Sequence, residues 1–170
     1  MKIGFVGLGN VGGKLAGSLL RNGFDVTVHD LNPDLVAEFV PRGAKPTSGP
    51  LALMQDCDAV ITCLPSPAAS AAVVEEMLPA VDSSKIWMEM STTDADQIKA
   101  HATQIIAAGG EAVDCPVSGG CHRADTGNIA IFAGCERSVF EQILPILTTM
   151  GRRILHTGDL GSASVLKVVT

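Results

Sequence analysis

Three short stretches hold residues whose types and spacing are suited to chemistry. The first is GFVGLGNVG, which sets Gly7, Gly9 and Gly12 in a G-x-G-x-x-G pattern. Glycines so spaced let a chain turn tightly, bring its backbone against a ligand, and pack a helix closely on a strand. The free amides and dipole at the start of that helix favour negative charge. Residues Gly7, Leu8, Gly9, Asn10, Val11 and Gly12 are therefore candidates to cradle a dinucleotide pyrophosphate. Asp30 lies 18 residues beyond Gly12. A carboxylate at such a distance accepts the adenosine-ribose hydroxyls and repels a 2′-phosphate. Leu31-Asn32-Pro33 follows, with no Arg to hold such a phosphate, so the expected cofactor is NAD. Asp30 is also placed to cap a helix starting at Pro33, and the two roles are compatible.

The second stretch is DCPVSGG, residues 114–120. Gly119 and Gly120 leave backbone amides open and Ser118 adds a hydroxyl, a nest suited to a carboxylate; an ordinary glycine-rich turn has the same composition. The third is GSASVLKVVT, residues 161–170, where Lys167 sits in an apolar helical pattern. Taken alone, this lysine reads as a solvated helix residue.

The elements that must carry these stretches alternate. KIGFVG, DVTVHD, DAVITCLP, KIWMEM, EAVDCPV, IAIFAG and RRILHTG read as strands. Helical patterns cover 10–22, 33–42, 51–56, 67–78, 94–108 and 137–150, with Ser91, Thr92 and Thr93 as candidate caps for the fifth. Strands alternating with helices of this length mean βαβ units. The expected fold class is α/β: a Rossmann-type, doubly wound, mainly parallel sheet with helices on both faces. G-x-G-x-x-G is a weak signal by itself, but here it follows a strand and opens a helix, the context a dinucleotide site requires.

In this order, GFVGLGNVG, DCPVSGG…ADTGNIAIFAG and GSASVLK resemble the β-hydroxyacid dehydrogenase family, of the 3-hydroxyisobutyrate dehydrogenase and tartronate semialdehyde reductase type. The resemblance runs from Met1 to Thr170. It implies an oxidoreductase that moves a hydride between NAD(H) and a small carboxylate-bearing hydroxyacid or semialdehyde. By resemblance, Ser118, Gly119 and Gly120 bind the substrate carboxylate, Lys167 is the catalytic acid/base, and Leu64, Pro65 and Thr92 line the cofactor. Val11, Cys115, Glu89 and Ala163 depart from the usual pattern, where Met, Ala, Asp and Gly are common. Cys121, His122 and Arg123 follow the carboxylate loop, and a solvated loop is the expected reading for them. Two rival readings are a non-enzymatic NAD-binding module and another reductase of the 6-phosphogluconate dehydrogenase superfamily, such as an imine reductase.

In the family, the lysine opens a long helix leading to an all-helical domain, and an Asn follows it by four residues. The expected division is thus a cofactor domain over 1–160 and the start of an interdomain helix over 161–170. The 170 residues are expected to fold and bind NADH but to turn over hydroxyacids barely or not at all. Lys167 is expected to fray near the chain end, and Val165, Leu166, Val168 and Val169 to promote self-association. The full-length protein is expected to be a homo-oligomer.

Composition narrows the partners. A formal net charge of −6 argues against nucleic acid, which needs a basic face; Arg152-Arg153 is the only adjacent basic pair. Five cysteines without a C-x-x-C read as a reducing compartment, the cytoplasm, with no disulfide framework and no metal site. Cys115 and Cys121 flank the carboxylate loop as candidate reactive thiols. Six glycines, an Asn and two Lys in the first 20 residues do not suit a signal peptide. The 59–74 stretch is broken by Pro65 and Pro67 and is too short for a membrane span.

Overall fold

In a strand, side chains alternate between the two faces of the sheet. Here that alternation sorts the helices. In β1 (Lys2–Val6), Ile3 and Phe5 join one core cluster, while Val6 joins the other. In β5 (Ile86–Glu89), Ile86 and Met88 face the first cluster and Trp87 the second. The first cluster takes Leu15 and Leu19 of α1 (Asn10–Arg21), Phe39 of α2 (Pro33–Phe39) and Ile143 of α7 (Arg137–Met150). The second takes Leu53 of α3 (Pro50–Asp56), Val74 and Met77 of α4 (Pro67–Met77), and Ile98 and Ile105 of α5 (Ala95–Ala107). Both faces of the sheet are covered, as parallel strands require.

The computed structural model describes residues 1–170. The remaining strands are β2 (Asp25–His29), β3 (Lys45–Pro46), β4 (Ala59–Thr62), β6 (Glu111–Asp114), β7 (Val117–Ser118), β8 (Ile129–Gly134) and β9 (Gly151–Gly158). Two further helices are α6 (Gly120–Asp125) and α8 (Ser162–Val169). The strand order is β3-β2-β1-β4-β5-β6-β8-β7, with β9 beside β8. Pairing is parallel from β3 through β6 and between β8 and β9; β8 runs antiparallel to β6 and β7. The chain is an α/β fold of the expected Rossmann type. No helix is long and apolar enough to cross a membrane.

Several boundaries differ from expectation. Residues 111–117 are not one strand: the chain breaks at Cys115-Pro116, since proline has no N–H to give the ladder. β6 and β7 then lie in line along the same side of β8. Residues 120–125, expected as loop, form α6, whose Ala124 is buried against the core. None of Ser91, Thr92 or Thr93 caps α5; Asp94 does, accepting the Gln97 amide at 2.9 Å. Asp30 does not cap α2 either, because Asn32 takes the Asp34 amide at 3.0 Å. Cys115 is fully buried and its thiol is pushed well above its ordinary value by desolvation, so it is not a reactive group.

A buried carboxylate ties the last helix to the sheet. Asp114, at the end of β6, accepts the Ser164 hydroxyl at 2.6 Å and the Ser164 amide at 2.8 Å. It acts at the start of α8, whose first residue follows Gly161 in the left-handed region at φ +88°. Burial raises the Asp114 pKa, while the Ser164, Gly161 and Ala163 donors pull it down.

Candidate functional site

The sheet reverses its order between β1 and β4, because β2 and β3 go one way and β4, β5 and β6 the other. Ligands in such sheets bind at the carboxyl ends of the strands at this switch point. A cavity of about 1020 Å³ lies there. One wall is Gly7, Gly9, Asn10, Val11 and Gly12, and Asp30 stands at its edge. Cys63, Leu64, Pro65 and Thr92 also line the cavity. Ser118, Gly119, Gly120 and Lys167 close one end.

The three glycines of the first turn have separate reasons to be there. A Cβ on Gly7, which has φ +98°, would collide with the Cys63 carbonyl, and one on Gly12 would collide with the Gly7 carbonyl. These two let β1, α1 and β4 meet. A Cβ on Gly9 would meet nothing within 4 Å, so that position is open on the cavity side. Gly9 caps α1 without a side-chain bond, and α1 has no acidic residue in its first turn. The cradle thus presents unneutralised helix amides to bare space, which fits a pyrophosphate.

Leu8, expected among the cofactor residues, is not in the cavity wall. Its side chain is 3% exposed in the core, and its amide donates to Asp30 Oδ2 at 2.8 Å. Asp30 Oδ1 accepts the Asn32 amide at 2.8 Å. The carboxylate therefore joins the glycine turn to the end of β2. Two backbone bonds leave it capacity for further donors, since an ionised carboxylate has about four lone-pair positions.

Beneath the cavity lies a buried polar chain. The Trp87 indole donates to Thr62 Oγ1 at 3.0 Å, and the Thr62 hydroxyl donates to Glu89 Oε1 at 3.0 Å. Glu89 Oε1 also accepts the Ser91 amide at 2.9 Å, and Ser91 Oγ accepts the Leu64 amide at 2.7 Å. Glu89 is wholly buried and its Oε2 has no partner. Desolvation raises its pKa despite the donors around it. The chain links the two loops that wall the cavity. Thr62 and Trp87 gave no sequence signal, since isolated Thr and Trp residues are ordinary in strands, and Ser91 drew notice only as a candidate cap.

Lys167 is held, contrary to expectation. Its Nζ donates to Thr92 Oγ1 at 3.0 Å and to the Val117 carbonyl at 2.6 Å. Half-burial lowers its pKa from 10.5, and Cys63 pulls the other way. Cys63 itself, unforeseen in the wall, is pushed up to about 12, mainly by desolvation and also by Glu89. At the same end, Gly119 has φ +133° and Gly120 φ +76°, and a Cβ on Gly120 would meet nothing within 4 Å. The loop therefore does offer open backbone to the cavity. Cys121, His122 and Arg123 are exposed and outside the cavity wall, on α6.

The family model for the NAD binding domain of 6-phosphogluconate dehydrogenase matches residues 2–158. The chain belongs to this family. It is thus an NAD-binding domain of dehydrogenase type. It is 31% identical to glyoxylate/succinic semialdehyde reductase 1 of Arabidopsis thaliana, over 99% of this chain and 60% of that protein. It is also 31% identical to rat mitochondrial 3-hydroxyisobutyrate dehydrogenase, over 98% of this chain and 50% of that one. A solved Mycobacterium tuberculosis 3-hydroxyisobutyrate dehydrogenase with L-serine superposes with a TM-score of 0.94 at 27% identity, covering 99% of this chain and 58% of that chain. The NAD-binding domain therefore spans between half and three-fifths of the length of these relatives.

Proposed function

We propose that this chain is the cofactor-binding part of an NAD-dependent dehydrogenase acting on a small β-hydroxyacid or semialdehyde, similar to 3-hydroxyisobutyrate dehydrogenase. The observation that carries the reading is Lys167: its Nζ bridges Thr92 and Val117 at the cavity end where Ser118, Gly119 and Gly120 leave amides open. NAD supplies the hydride acceptor when bound. Ser118 and the two glycine amides hold the substrate carboxylate, which orients the carbinol towards Lys167. A lysine near an ordinary pKa of about 10.4 is a poor base at neutral pH. Partial burial lowers it in this chain, which favours the neutral amine that takes the hydroxyl proton; in reduction the ammonium returns it. Asp30 sets the preference for NAD over NADP. The full-length protein is a cytoplasmic homo-oligomer in this reading.

By itself the 170-residue chain turns over slowly, because the cavity is open to solvent on one side and does not exclude water around the reacting atoms. The experiment is single-turnover oxidation of 3-hydroxyisobutyrate by the NAD-loaded chain, comparing wild type with Lys167→Met. A slow wild-type signal, lost in the variant while NADH affinity holds, supports the assignment. Equal rates in the two remove Lys167 from the chemistry, and steady turnover near the enzyme median of about 10 per second refutes the account of the fragment. In parallel titrations, tighter binding of NADPH than of NADH overturns the role given to Asp30.

A further inference from the structure

A second cavity, of about 340 Å³, is lined by four residues only: Arg123, Asn128, Arg152 and Arg153. It shares none of them with the dinucleotide cavity. None of the three guanidiniums is paired with a carboxylate; the ion pairs of the chain are Lys14–Asp125, Lys45–Asp25 and Arg137–Glu141. Three unneutralised positive charges thus converge on one hollow of a protein whose net charge is −6. Like charges so gathered repel one another, and an anion between them relieves the repulsion.

We propose that this hollow is a binding site for a small, multiply charged anion of the pyrophosphate class. The guanidinium is a planar fork that matches phosphate oxygens in pairs. The walls of the hollow are braced. The Asn128 amide donates to the Arg123 carbonyl at 2.8 Å, and Asn128 Nδ2 donates to Thr126 Oγ1 at 2.9 Å. That turns Asn128 Oδ1 to Arg152, whose Nη1 donates to it at 3.5 Å. Arg152 and Arg153 come from the start of β9 and Arg123 from α6, so the site joins two separate elements. No apolar side chain lines it, so recognition rests on charge. The absence of an aromatic platform argues against a single-stranded nucleic acid, whose bases need one to stack on.

The site also touches the carboxylate loop. A Cβ on Gly119 would stand 2.9 Å from Arg123 Cδ, so the stem of Arg123 packs directly on that loop. Drawing its guanidinium onto an anion shifts the stem against Gly119.

The test titrates inorganic pyrophosphate into the NADH-saturated chain, with the glycine turn thereby filled, and follows backbone amide NMR shifts. Expected are shifts at Asn128, Arg152, Arg153 and Gly119, with an affinity that falls as salt rises. The double variant Arg152→Gln/Arg153→Gln, and separately Asn128→Asp, are each expected to weaken binding at least ~10-fold, about 1.4 kcal/mol, with NADH affinity unchanged. Orthophosphate is expected to bind more weakly than pyrophosphate. Shifts confined to residues 7–12, or undiminished affinity in both variants, overturn the proposal. So does tighter binding of a single-stranded oligonucleotide than of pyrophosphate.

Discussion

Replacing Asp114 by Ala should unlatch α8 without unfolding the sheet. The carboxylate is the acceptor for both the amide and the hydroxyl of Ser164, a residue 2% exposed. Its removal leaves two buried donors without partners, at about 1–3 kcal/mol each. Part of this is returned, because burial makes the carboxyl itself costly to ionise, as its raised pKa indicates. A net loss of about 3 kcal/mol is expected, or about two decades in an equilibrium constant at ~1.4 kcal/mol per decade. The cost falls on α8, since the donors to Asp114 all lie at its start, in Gly161, Ala163 and Ser164. The assay is native-state amide hydrogen exchange. Protection of Val165 to Val168 is expected to drop by about 100-fold, while amides of β1 and β4 keep theirs. NADH affinity should hold, because neither Asp114 nor Ser164 lines the cavity, and single-turnover oxidation should fall, because Lys167 rides on α8. Unchanged exchange in α8 would refute the claim that this carboxylate fixes the helix. Equal loss throughout the sheet would refute its being local.

Gly9→Val should lower the melting temperature only slightly, since a Cβ there meets nothing and the cost is that of a poorer N-cap residue. It should weaken NADH by about 1–3 kcal/mol of overpacking, read by titration. Gly12→Val, which collides with the Gly7 carbonyl, should instead lower the melting temperature sharply. Glu89→Gln should change the pH dependence of stability. The folded carboxyl has a raised pKa, so the native state keeps a proton that the unfolded chain has lost, and stability falls as pH rises from the ordinary value of 4.5 towards the folded one. Gln removes that slope, so denaturant midpoints of variant and wild type should diverge as pH rises above 4.5, with the variant higher; parallel curves would show that Glu89 is ionised in the fold. In Lys167→Met, loss of the half-buried ammonium should raise stability at neutral pH, since its lowered pKa means that the charged form is penalised there, and equal midpoints would count against it.

The sheet and its flanking helices were legible because their residues alternate with periods of 2 and 3.6, and the glycine turn because its spacing is bound to its neighbours on both sides. The break at Pro116 was less so: Asp114, Cys115 and Val117 are all buried, so the apolar pattern continues where the ladder does not. Helix α6 escaped notice because Gly120-Cys121-His122-Arg123 has poor helix propensity, and packing of Ala124 decides the matter. The restraint on Lys167 depends on a carbonyl 50 residues away, which no local pattern records. Ser91 and Thr92 looked like helix caps because their types suit that role; tertiary partners, Leu64 for the one and Lys167 for the other, claimed them instead. The arginine hollow is assembled from α6 and β9, and only the Arg152-Arg153 pair was visible beforehand.

The buried polar chain under the cavity has an optical consequence. Trp87 is the one indole and there is no tyrosine, so beyond the weak phenylalanine band the emission of the protein comes from a single chromophore. That chromophore is shielded from solvent and hydrogen-bonded through Thr62 to Glu89, and thence to Ser91 and Leu64 at the cavity wall. Its emission should therefore be blue-shifted in the native state and shift red only on unfolding. A reduced nicotinamide bound in the cavity would absorb in the same window, so quenching of this one indole would report occupancy without a label.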